Sequence, residues 1–202
     1  MKRFSLILAV ASAAVLIAGC GLLGSLSGAA SNAASNLGGS RTFTFQSLPT
    51  NVKELKALPE SKLDNPYATA ALSVLALTRY GDSVDDCIEM LDFLKGPEDV
   101  STYEKQFIRD RLNGKLYKVF SFFKGTSPGN NYTPSKPYTI TVSSNSYSFN
   151  EDGWATLYVQ SSGADNPRPV KLRKKPSTGE WFLNDIQYLA DIRLPAADDK
   201  WY

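Results

Sequence analysis

A row of carboxylates, a run of basic residues and two cysteines are where this sequence could do chemistry. The acids are Asp82, Asp85, Asp86, Glu89 and Asp92. Spacing of i, i+4 and i+7 puts Asp85, Glu89 and Asp92 on one outer face of a helix. A glycosidase pair or a hard-cation site needs carboxylates converging on a cleft from different elements. Acids in a first turn and along one face are what the helix dipole and a solvated surface call for. Asp64-Asn65-Pro66 and Asp165-Asn166-Pro167 match no complete calcium loop and read as turns.

The 202 residues contain no histidine. That removes the Ser-His-Asp and Cys-His nucleophile systems, the imidazole base, and His-ligated zinc or haem. Neither a Gly-rich phosphate loop nor a nucleophile elbow is present, since Gly163-Ala164-Asp165 and Gly179-Glu180-Trp181 fit neither pattern. No cofactor and no metal are expected. A binding module is the leading expectation, and a hydrolase using carboxylates is the alternative.

Arg168, Lys171, Arg173, Lys174 and Lys175 form the strongest charge cluster. On a strand, Lys171, Arg173 and Lys175 project from the same face. Tyr138, Tyr158 and Trp181 are candidate aromatic neighbours. Arg168, Lys171, Arg173 and Lys175 are therefore the candidate residues for an anionic partner: lipid headgroups, an acidic wall polymer or an acidic protein. Lysines on a strand also guard its edge against aggregation, which is their commoner use. The loop Asn130–Pro137, polar and proline-rich with an aromatic at Tyr132, is suited to contacts and equally to joining helices to a sheet.

At the start of the chain, Lys2 and Arg3 precede an apolar stretch, Phe4 to Ala18, too short for a permanent span of about 20 residues. It closes on Ile17-Ala18-Gly19-Cys20, which resembles the lipobox of bacterial lipoproteins. The resemblance implies cleavage before Cys20 and a diacylglyceryl group on its sulfur, with the protein held on the extracytoplasmic side of the cell membrane. Loss of residues 1–19 takes two of the 22 bases and none of the 20 acids. The remaining chain is neutral, which speaks against a nucleic-acid partner. With Cys20 acylated, Cys87 has no partner in the chain, and its apolar helical row (Val84, Cys87, Ile88, Leu91) reads as core.

The elements that must position these groups follow from periodicity. Gly21 to Ser40 carries no charge and few large side chains, the composition of a flexible tether. Arg41–Phe45 alternates and is a candidate short strand. A short helix is expected over Asn51–Leu58, stopped by Pro59. Asn65-Pro66 caps and starts a helix to about Tyr80 that is apolar on all sides and so buried. Ser83 with Asp86 opens the next helix, and Gly96-Pro97 ends it. Ser101-x-x-Glu104 is a capping box for a third. Leu116 to Phe123 keeps helical spacing, with a strand as the alternative. After Gly125 the period becomes two, around Tyr138–Val142, Ala155–Val159, Val170–Arg173 and Trp181–Leu183. Helices first and strands later give an α+β fold, N-terminal helices packed on a C-terminal antiparallel sheet of about four strands. The expected organisation is a signal peptide over residues 1–19, an anchored tether over 20–46, and one domain over 47–202.

Several stretches in one order carry a family resemblance: Asn65–Ala71, Met90–Pro97, Tyr103–Phe107, Asn130–Tyr138, and Ser161–Arg168 leading to Val170–Arg173 and Gly179–Leu183. They resemble a family of bacterial proteins known as a domain of unknown function, over about Leu48 to Pro195. The resemblance supports the domain limits and implies no activity or site residue.

Overall fold

The computed structural model describes residues 39–201; the expected signal peptide, the expected lipobox with Cys20 and most of the expected tether lie outside the described residues. The chain order is β1 (Ser40–Phe45), α1 (Val52–Lys56), α2 (Pro66–Thr78), α3 (Val84–Lys95), α4 (Thr102–Leu112), α5 (Tyr117–Phe120), then β2 (Tyr138–Ser143), β3 (Trp154–Val159), β4 (Arg168–Lys174) and β5 (Trp181–Asp185). Helices and an antiparallel sheet make the fold α+β, as expected. The sheet has five strands rather than four, in the order β1-β2-β3-β4-β5. The additional strand is β1, which pairs antiparallel with β2 from Ser40–Ser143 to Phe45–Tyr138. Part of the stretch expected as tether therefore belongs to the sheet.

Local chemistry accounts for the helices. Asn65 accepts the Tyr67 amide N–H at 3.0 Å and Pro66 opens α2 with its φ already set. Every residue from Tyr67 to Thr78 is buried, because α2 lies between α3 and the inner faces of β2, β3 and β5. Its Ser73 hydroxyl meets the Tyr188 hydroxyl at 2.8 Å, pinning the C-terminal segment to the helix at a fully buried polar pair. The Ser83 and Ser101 hydroxyls cap α3 and α4, and Ser101 with Glu104 completes the capping box. The aromatic run takes both forms that its pattern allows. Tyr117–Phe120 is a single helical turn, and Phe123 then bridges to Ile140 at the sheet.

Alternation sorts the sheet into two faces. Ile140, Val142, Ala155, Leu157, Val159, Val170, Leu172 and Leu183 face the helices and are buried. Thr141, Tyr158, Thr156, Trp154, Lys171 and Arg173 take the other face, partly or fully exposed.

Candidate functional site

The basic residues of β4 divide between the two faces. Thr156 pairs with Lys171 and Trp154 with Arg173, so both cations and both partners stand on the outer face. The Lys171 ammonium lies 4.4 Å from the centre of the Trp154 ring, and the Arg173 guanidinium carbon 5.2 Å from it. Such contacts hold a cation over an aromatic face and keep it facing solvent. Lys171 also has Glu151 at 4.0 Å, a loose exposed pair. Lys175 follows in the exposed β4–β5 turn, whose Gly179 adopts φ +78°.

Arg168 does not join them. It shares the strand parity of Val170 and Leu172, sits opposite Val159 at the far end of β4, and pairs with Asp191 at 3.3 Å. Its Nε is buried without a hydrogen-bond partner. Of the aromatic neighbours expected, Tyr158 shares the outer face. Tyr138 instead packs edge-on against Phe123, and Trp181 packs edge-on against Phe149 with the Lys174 ammonium 5.7 Å from its ring. Trp154, the aromatic at the centre of the basic face, went unread in the sequence. Its signal was parity, two residues ahead of Thr156 and four ahead of Tyr158.

Residues 47–196 match the family described as domain of unknown function DUF6935. The chain belongs to this family. No curated protein and no solved structure matches the chain. The family's region starts just after β1, so the strand pairing Ser40–Phe45 to β2 lies outside it. All of the helices and β2 to β5, with the basic face, lie within it.

Within the family's region the carboxylates do other work. Asp82 and Asp86 pair with Arg79 at 3.1 and 3.5 Å. Asp92 accepts the Val100 amide N–H at 2.6 Å, tying the loop after α3 to the helix. Asp85 and Glu89 line a groove between α3 and α4 together with Lys105 and Arg109. Among the described residues no group of three or more acids, cysteines or histidines is placed to hold a metal ion. Cys87 is fully buried, and burial pushes its thiol up to about 12. It is protonated at neutral pH and shielded, so it packs as a small apolar side chain and does not act as a nucleophile.

Beside the basic face, the β4–β5 hairpin and the Gly96–Glu98 loop enclose a cleft of about 260 Å3. Arg173 and Lys175 line it as well. Lys95, at the end of α3, also lines the cleft, with only 7% of its side chain exposed and its ammonium 2.7 Å from Glu104 Oε1.

Proposed function

We propose that this chain is a membrane-anchored extracytoplasmic lipoprotein whose domain works by binding, with Lys171, Arg173 and Lys175 engaging an anionic component of the cell envelope. The anchoring half rests on the basic start, the apolar leader and the Ile17-Ala18-Gly19-Cys20 box. No described helix is long and apolar enough to cross a membrane, so within residues 39–201 no helix competes with a lipid as the anchor. The binding half rests on one observation: Trp154 lies against two cations on a sheet face that the helices leave open. Carboxylates that are paired, capping or set in a groove shared with bases favour binding over hydrolysis.

The test of this reading has two readouts. Protein extracted from membranes should yield an N-terminal peptide beginning at a diacylated Cys20, and an unmodified Cys20 contradicts the anchoring. The domain from Gly39 onward, freed of any lipid, should sediment with anionic vesicles at low salt and dissociate as salt rises, because exposed charges are screened within about 8 Å at physiological ionic strength. Equal behaviour with neutral and anionic vesicles contradicts the binding.

A further inference from the structure

The cleft next to the basic face is built differently from the face itself. Among the described residues Lys95, Arg173, Lys174 and Lys175 line it, with Glu98 the only carboxylate in the lining. Glu104 lies behind Lys95 and takes one of its three N–H donors. A lysine buried to this degree is costly without its ion pair, and Glu104 and Glu98 offset only part of the charge of the four cations that line the cleft. By formal charge, the lining together with Glu104 carries two more cations than carboxylates. A carboxylate ligand would balance one of them, whereas a phosphate monoester carries about −1.5 to −2 at neutral pH. Phe182 forms an apolar wall: Gly96 has φ +71°, and a Cβ built there would meet the ring at 2.2 Å, so the ring lies directly against the loop. Asn184 adds an amide capable of donating and accepting. The volume, near the lower end of about 300 Å3 for ligand sites, suits a small molecule.

The geometry points to a binding site for a compact phosphate monoester, its phosphoryl group held by Lys95, Arg173 and Lys175 and its body against Phe182. This rests on the anionic-partner reading and names a ligand class for the end of the face where Arg173 and Lys175 are shared. Two sources carry that chemistry, a soluble polyol phosphate and the headgroup of a phosphatidic lipid.

The experiment is calorimetric titration of the full chain in non-ionic detergent with glycerol 3-phosphate, with dihexanoyl phosphatidic acid below its micelle concentration, and with glycerol as the neutral control. Saturable binding of at least one phosphate and none of glycerol is expected. The tighter of the two ligands identifies the source. Arg173→Gln with Lys175→Gln should weaken binding at least tenfold with an unchanged unfolding midpoint, since charge-assisted contacts to phosphate are lost. Lys105→Gln, on α4, should leave the affinity unchanged. Phe182→Leu, a milder change in the wall, should weaken glycerol 3-phosphate less than the double charge variant does. No saturable binding of either phosphate, or equal affinity in the double variant, overturns the proposal. Phosphate binding that persists in a domain that ignores anionic vesicles would refute the face and leave the cleft standing; vesicle binding without phosphate binding would do the reverse.

Discussion

Replacing Glu104 by alanine should cost about 4 kcal/mol of stability, the range seen when one member of a buried ion pair is removed. The cause is the environment of Lys95. Its side chain is 7% exposed and Glu104 Oε1 lies 2.7 Å from its ammonium. The other Glu104 oxygen, Oε2, accepts from both the amide N–H and the hydroxyl of Ser101, so the same carboxylate closes the α4 capping box. Removing it strands a buried charge and opens the helix start at once. Burial by itself would raise the Glu104 carboxyl, but hydrogen bonds from Lys95 and Ser101 outweigh it and hold its pKa below the usual glutamate range. A carboxyl depressed in the folded state contributes stability that is fully present above its unfolded pKa. That stability is lost as pH falls through its folded pKa. The gap between the native protein and Glu104→Gln in urea unfolding should therefore be widest near neutral pH and narrow on acidification. A gap that does not change with pH would mean that the charge is not what Glu104 supplies.

Gly96→Ala should cost about 3 kcal/mol, for two separable reasons. At φ +71° and ψ −113° the backbone occupies a region that L side chains enter only at a cost of about 1–3 kcal/mol. The added methyl would also stand 2.2 Å from Phe182, and forcing extra volume into a packed contact costs on the order of 1–3 kcal/mol. Gly179→Ala is the control. It shares a positive φ, +78°, but nothing lies within 4 Å of the new methyl, so a loss of about 1 kcal/mol is expected. Thermal unfolding of both variants, with Gly96→Ala combined with Phe182→Ala, separates the terms. If Gly96→Ala proves no worse than Gly179→Ala, the ring does not lie where the structure places it.

Features decided within a few residues were legible in the sequence. Ser101 and Glu104 read as a capping box and form one; the helix after Asn65-Pro66 read as apolar on every side and is buried throughout. The strands after Gly125 were visible as a period of two. What was not legible depends on partners far away in the chain. Ser40 pairs with Ser143, more than a hundred residues on, and nothing in six alternating residues names that partner. Burial of Lys95 has the same origin, since a lysine in the last turn of a helix normally reads as a solvated group suited to the dipole. Only the turn at Gly96-Pro97, which brings Glu104 back against it, makes it a buried charge. For the candidate site, strand parity was enough to place Lys171 and Arg173 together. The same parity puts Arg168 on the inner side with Val170 and Leu172, apart from Lys171 and Arg173.

We propose that the location of the basic residues, not the overall charge, holds the domain to an anionic surface. The measurement is the fraction of the domain from Gly39 onward that sediments with anionic vesicles at low salt, for the native sequence and two triple variants. One carries Gln at Lys171, Arg173 and Lys175; the other carries Gln at the exposed Lys53, Lys105 and Lys200, which loses the same charge elsewhere. Each basic residue near an anionic surface is worth about 1 kcal/mol, so the first variant should partition roughly two decades more weakly while the second stays close to the native domain. Equal weakening of the two variants, or no weakening in the first, would contradict the claim.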